Sequence, residues 1–178
     1  MSGAARLDVT AHLEALRRYA RVLTRNGSEA DDLVQGALLR ALEKRASFRD
    51  GADLRVWLMS ILHNHHIDRL RSTSAATARE TAWADLAPGF APPAGEHAVR
   101  LEQLRAAVLT LPEDQREALH LVAIEGLSVA EAADVLSVPP GTVMSRVGRA
   151  RAALRRWEDG GTARLSSIRL VGGADDAT

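Results

Sequence analysis

No cysteine occurs among the 178 residues, which excludes a disulfide framework, thiolate metal sites and a cysteine nucleophile. Net charge is missing too: 23 basic and 23 acidic residues cancel, so no global field announces a nucleic-acid or membrane partner. Lysine is almost absent, with Lys44 alone; the arginine-dominated basic set reads as a coding bias, and arginine count by itself carries little weight. No apolar run reaches the roughly 20 residues of a membrane span, and no signal-peptide pattern is present. The expectation is a cytoplasmic chain with no membrane insertion. Also lacking are a His-Glu-x-x-His pair, a glycine-rich phosphate loop and a nucleophile elbow. The chain is therefore expected not to be an enzyme and to need no cofactor.

What is present is helical periodicity, with an apolar content of 46% that suffices for packed cores. Leu13, Leu16, Ala20 and Leu23 recur at helical spacing, and Asn26-Gly27 supplies a stop. Ser28 is positioned to cap a second helix carrying Leu33, Ala37, Leu38, Ala41 and Leu42. A loop follows at Phe48-Arg-Asp-Gly51, and Asp53 is positioned to cap a third helix over about 54–71. Residues 72–98 then turn rich in Ala, Ser, Thr, Pro and Gly without sustained periodicity, the composition of a flexible linker, with Trp83, Leu86 and Phe90 available to dock it. Beyond it, helical patterns resume around Leu101, Leu104 and Val108, then after Pro112, then after a Ser128-x-x-Glu131 capping box. A final basic helix runs from about Pro140 to Trp157, and a polar, frayed tail is expected from Glu158. No strand candidate survives. The expected fold is all-α: two small helical domains, 7–72 and 98–157, joined by a linker at 73–97 and followed by a tail at 158–178.

The segment "LSVAEAADVLSVPPGTVMSRVGRARAALRR" has the grammar of a helix-turn-helix: a short capped helix, a tight break and an arginine-laden second helix. Small Ala132 and Ala133 permit a close helix crossing. Val143 and Val147 fit the inner face of the second helix, leaving Thr142, Ser145, Arg146 and Arg149 outward for base edges or phosphates. Arg151, Arg155 and Arg156 lie further along and suit backbone neutralisation. A stand-alone repressor or activator would account for this half alone and leave the first half without a role.

The two halves together resemble a known family. "EADDLVQGALLRALEKRASFRDGADLRVWLMSILHNHHIDRLRS" is similar to region two, and "LPEDQREALHLVAIEGLSVAEAADVLSVPPGTVMSRVGRARAALRR" to region four, of the extracytoplasmic-function (ECF) sigma factors, small alternative specificity subunits of bacterial RNA polymerase. The resemblance spans about residues 10–157. It implies docking on the clamp helices of the largest polymerase subunit through Asp32, Leu33 and Gln35. It implies recognition and melting of the −10 promoter element through Arg49, Asp50, Gly51, Asp53, Asn64, Arg69 and Arg71. Contacts to the −35 element fall on Thr142, Met144, Ser145, Arg146 and Arg149. It further implies control by an anti-sigma protein that masks the polymerase-docking surfaces. Three residues depart from the family pattern: Gly36 replaces an acid, Met144 a basic residue and Gly148 a larger side chain. Each removes a contact, and Gly36 is expected to loosen its helix, since glycine costs roughly 1 kcal/mol against alanine there.

Three histidines crowd the stretch "LHNHHIDRLR" at 63, 65 and 66. At about 100° per residue they fan over roughly 160° of helix surface and do not converge on one ion, so no metal site is expected. His65 shares the stripe of Leu54, Leu58 and Ile61. The more informative letters are polar: Ser60, Asn64, Asp68 and Arg71 share one strip beside Trp57, and Asn64 offers a donor and an acceptor to a base edge.

Overall fold

The computed structural model describes residues 8–49, 51–76 and 96–166, and among them no strand occurs. The helices, in chain order, are α1 (Leu13–Thr24), α2 (Gly27–Glu43), α3 (Leu54–Ala76), α4 (Glu96–Leu109), α5 (Glu113–Leu119), α6 (Val129–Leu136) and α7 (Pro140–Ser166). A short 3-10 turn, Thr10–His12, precedes α1; another, Arg45–Ser47, follows α2. The linker side chains Trp83, Leu86 and Phe90 lie outside the described residues, as does the chain beyond Ser166.

In the first unit, α1, α2 and α3 bury the apolar stripes their periodicity requires: Leu16, Tyr19, Leu23, Leu33, Ala37, Leu58, Met59 and Leu62. The α1–α2 corner is built differently from the expected Ser28 cap. Arg25 takes the left-handed conformation at φ 57° and closes α1. Asn26, extended, then accepts at its side-chain oxygen from the amides of Ser28 (2.9 Å) and Glu29 (3.3 Å). Asn26 is thus the cap, and Gly27 and Ser28 lie inside α2; such a cap contributes on the order of 1 kcal/mol. Asp53 caps α3 as expected, accepting from Arg55 N at 2.8 Å and Val56 N at 3.1 Å.

Gly36 does not interrupt α2. The imidazole of His65 on α3 lies directly over it: a Cβ built at 36 would overlap His65 Nε2 and stand 2.9 Å from Cδ2. The missing side chain is therefore room for the neighbouring ring, and His65 is half-buried between the helices rather than part of the apolar core.

The second unit folds around α5–α7. Pro112, with φ −52° and ψ 145°, sits at the N-cap of α5. The α5 helix widens into a π-type turn at His120–Ile124 and ends at Gly126, whose φ of +69° suits glycine. The Ser128–Glu131 capping box forms in both directions, at 2.7 and 3.2 Å. Ser137 in the left-handed region (φ 53°) ends α6, and α7 begins three residues on. The expected tail is helical at its start: α7 continues past Trp157 to Ser166, tied to α4 by an Arg100–Glu158 ion pair at 3.0 Å.

The two units are packed together, α3 against α6 and α1 against α5. A single hydrophobic cluster runs from Leu16 and Leu33 through Leu58 to Leu121, Val135 and Val147.

Gly36→Ala should lower stability by about 1 kcal/mol, since overpacking against His65 outweighs the gain in helix propensity. In a His65→Ala background the same change should stabilise the protein by a similar amount. Urea denaturation of the two singles and the double checks this, and a stabilised Gly36→Ala single would contradict it.

Candidate nucleic-acid interface

The outward face of α7 follows from its inward one. Val143, Val147 and Ala150 are buried, so the neighbouring positions 142, 144, 145 and 149 turn toward solvent or its margin. Ser145 is exposed, and Arg149 folds back along the helix, its Nε donating to Ser145 O (3.3 Å) and its Nη2 to Ser145 Oγ (3.2 Å). Met144 is 64% exposed, a large apolar group on a polar surface. Nothing lies within 4 Å of a Cβ built at Gly148, so this glycine answers no packing demand. Arg146 departs from the expected outward position: its Nε is 3.1 Å from Asp114 Oδ2 on α5, with only 21% of the side chain exposed. It stands at the edge of the face, drawn inward by the carboxylate.

In the first unit, Asn64, Asp68, Arg69 and Arg71 are exposed along α3. Asp68 is engaged by Arg40 of α2 at 2.7 Å, a surface pair that ties the middle of α3 to α2, and Asp53 caps its start. The Arg49–Asp53 loop is anchored by a residue that sequence reading had only placed in a loop. Phe48 lies against Trp57, ring centroids 5.1 Å apart and planes inclined at 59°, an aromatic pair worth about 1 kcal/mol beyond burial. Gly51 has φ +85°, a conformation that favours glycine. Arg49 and Asp53 are exposed beside it; Asp50 lies outside the described residues.

On α2, Asp32 and Gln35 are exposed, whereas Leu33 is fully buried at 0%. Leu33 supports this surface from beneath and cannot touch a partner while the core is intact. Two leucines lie exposed on the same face: Leu39 (63%), not singled out from sequence, and Leu42 (59%), which sequence placed in the apolar stripe; both continue the Asp32–Gln35 stripe at helical spacing. Their signal was available, since two leucines on a polar stripe leave an apolar patch uncovered.

The histidine cluster is resolved by the second unit. His63 and His66 are buried at 7% and 6%, under α5. Tyr19, wholly buried, is nearly parallel to two imidazoles: His63 (centroids 6.5 Å, planes 11°) and His120 (5.8 Å, 9°). Tyr19 Oη is 3.1 Å from His63 Nδ1. His63 Nδ1 is 3.5 Å from Glu117 Oε2, and His66 Nε2 is 3.6 Å from Glu113 Oε1. Burial lowers His63 to about 4 and, with Glu113 nearby, raises Glu117 to about 7. His65 and His66 are also lowered by burial. Among the described residues no group of three or more ligating side chains could hold a metal ion.

A second bridge lies beside the first. Arg18 on α1 donates twice to Glu125, Nε to Oε1 and Nη2 to Oε2, each at 3.0 Å, and His120 Nε2 is 3.1 Å from Glu125 Oε1. Burial alone would raise the Glu125 carboxyl; the His120 and Arg18 contacts overturn that and hold it at about 2. Arg116, 1% exposed, donates to the carbonyls of Val22 (3.3 Å) across the units and Leu111 (3.1 Å) within its own. These charged interface residues were not singled out from sequence, where a charge pattern reads as a solvated face.

Comparison with known proteins agrees with both halves. Residues 9–63 match a family model described as the Sigma2 domain of PhyR, and residues 101–154 match Sigma-70, region 4. The chain is 40% identical to the ECF RNA polymerase sigma factor EcfG of Rhodopseudomonas palustris over 172 residues, 95% of this chain and 87% of that protein. It is 36% identical to the ECF sigma factor SigM of Mycobacterium tuberculosis over 148 residues, 82% of this chain and 72% of SigM. Among solved structures it is similar to the sigma factor RpoE in complex with the anti-sigma factor NepR from Bartonella quintana, with a TM-score of 0.74 and 31% identity, covering 91% of this chain and 96% of that one.

Glu125→Gln should cost about 1–3 kcal/mol, because it leaves Arg18 and His120 facing an uncharged partner in a buried site. The Glu125 contribution is fully present above its ordinary value near 4.5 and is lost as pH falls through about 2. The variant should therefore show a shallower acid limb in thermal melts between pH 4.5 and 2 than the parent. Parallel acid limbs would contradict the assignment.

Proposed function

The chain belongs to the ECF sigma factors of the sigma-70 family, and from that premise we propose how its surfaces divide the work of initiating transcription at selected promoters. The α2 stripe of Asp32, Gln35, Leu39 and Leu42 docks on the clamp helices of core RNA polymerase, the two leucines covering apolar surface and the polar pair fixing register. The loop with Arg49, Gly51 and Asp53, and the α3 face with Asn64, Arg69 and Arg71, engages the −10 element. There an unpaired base is held against backbone and polar groups, while arginines meet phosphates. Asp50 belongs to the same loop by its position in the family pattern. Strand opening in this scheme is binding energy spent on an extruded base; no catalytic step is assigned to the chain.

On α7, Thr142, Ser145 and Arg149 read the −35 element, with Arg146 joining once Asp114 releases it. Exposed Met144 offers apolar contact, of the kind a thymine methyl accepts, where the family has a basic residue. The site works where polymerase works, in the cytoplasm, and an anti-sigma protein controls it by covering the α2 stripe. Support for that last step is the RpoE relative, whose structure holds NepR as anti-sigma factor.

One observation carries the reading. The two family segments occur in order on one chain, and each leaves exposed the face its role requires. In vitro transcription with purified core polymerase tests it, and failure to initiate at any promoter of the source genome would overturn it. Within that assay Asn64→Ala should reduce run-off transcript on the order of tenfold, the loss of about 1–2 kcal/mol of base contact. His63→Ala, at a buried position, should reduce transcript far less. Equal losses in the two variants would contradict the assignment of Asn64 to the DNA face.

A further inference from the structure

The buried contact between His63 and Glu117 joins the two units and has no fixed counter-ion of its own. Arg116 is committed to the Val22 and Leu111 carbonyls, and Arg146 to Asp114. Around the contact stand Tyr19 from α1, His66 from α3, Glu113 and Asp114 from α5, Arg146 from α7 and His120 from the π turn. A cleft of about 310 Å3 opens beside it, lined in part by His63, Glu117, Ile67, Leu70, Val138 and Arg146.

We propose that His63 and Glu117 form a proton-balanced latch: when the units close, the imidazolium N–H bond breaks and a carboxyl O–H bond forms, so both side chains enter the interface neutral. Opening reverses the transfer and restores the ion pair to water. The neutral ring then accepts a hydrogen bond from the Tyr19 hydroxyl at Nδ1, consistent with the 3.1 Å contact. Two charges held 3.5 Å apart under two helices would forfeit their hydration, and the attraction between them regains that loss only when further hydrogen bonds complete the geometry.

Burial supplies opposite biases. His63, lowered to about 4, supports closure fully above its ordinary 6.5 and loses that support as pH falls through 4. Glu117, raised to about 7, supports closure fully below its ordinary 4.5 and loses that support as pH rises through 7. Between 4.5 and 6.5 the open form carries its proton on His63 and the closed form on Glu117. The proton count is equal, so this pair contributes almost no net pH dependence while both partners are present.

The consequence for promoters rests on the sigma-factor reading; the latch does not. Elements named for positions −35 and −10 lie about 25 base pairs apart, roughly 85 Å along B-DNA at 3.4 Å per pair. In the closed form Arg146 and His63 line one cleft, far too near for both elements to be read. The latch therefore sets the cost of the opening that promoter recognition requires.

The full chain tests this directly. Having no native cysteine, it takes one spin label on each unit through Glu43→Cys and Asp134→Cys, and the open-to-closed ratio is read by distance measurement from pH 5 to 7.5. Relative to the labelled parent, Glu117→Gln should open on acidification and His63→Asn on alkalinisation, each on the order of ten- to a hundredfold. The double variant should return to the parental slope, His66 and Glu113 acting alike in all four proteins. Equal slopes in both singles would overturn the proposal. If a single variant fails to fold, carbon NMR of the parent decides: Glu117 titrating near 7 and His63 near 4 supports the latch, and ordinary values for both overturn it. Loss of transcription without a change in either readout would count against the promoter reading alone.

Discussion

Tyr19 is the point on which the arrangement of the two helical units depends. Its ring is wholly buried and nearly parallel to both His63, which its hydroxyl meets at 3.1 Å, and His120. One imidazole comes from its own unit and one from the other. Around that stack the polar bridges assemble: Glu117 and Glu113 reach α3, Glu125 reaches α1, and Arg116 reaches the last turn of α1. The helix faces proposed to meet polymerase or DNA are left outside, on α2, α3 and the solvent face of α7. The interface is therefore mixed: one hydrophobic cluster continues across it, and beside that cluster lie buried histidines, acids and Arg116. A seam of leucines would be harder to part, since every buried side chain adds about 1.5–3 kcal/mol.

The local chemistry of the sequence was legible wherever one residue's role is set by its near neighbours. The capping box at Ser128–Glu131, the Asp53 cap and the apolar stripes of α1 and α7 all follow from spacing alone, whereas the α2 stripe was read to include Leu42, which is exposed. The Asn26 cap was misplaced by two residues because it depends on Arg25 adopting a left-handed conformation. The end of α7 was misplaced because glycines at 160 and 161 read as a stop.

The interface between the units was not legible, for a physical reason. Arg18, Arg116, Glu117 and Glu125 sit at helical positions where a binary pattern assigns solvent, and only the approach of a second helix turns them inward. Histidine fares worse, since the same ring serves in a core, at an interface or on DNA. The fan of 63, 65 and 66 argued against a shared metal ion, and the structure gives the rings separate places: His65 over Gly36, and His63 and His66 under α5. Gly36 itself looked like the loss of a docking acid with a loosened helix. Its partner, 29 positions away on another helix, explains it better. For the proposed docking stripe, the resemblance named Leu33, which is buried, whereas Leu39 and Leu42 are the exposed leucines on that face.

The π-type turn at His120–Ile124 leaves α5 and its continuation one residue out of phase with a regular helix. Each residue of α-helix advances about 100°, so the extra residue rotates everything after it by about that angle relative to everything before. Arg116, Glu117 and His120 face the first unit from the leading segment, and Glu125 faces it from the trailing end. In an unbroken α-helix Glu125 would be turned well away from the side that carries His120, and Arg18 would find no carboxylate. The widened turn therefore acts as a splice in the helical phase. It lets one short stretch of chain present two acids and a histidine to the same neighbour, in an order no regular periodicity would produce.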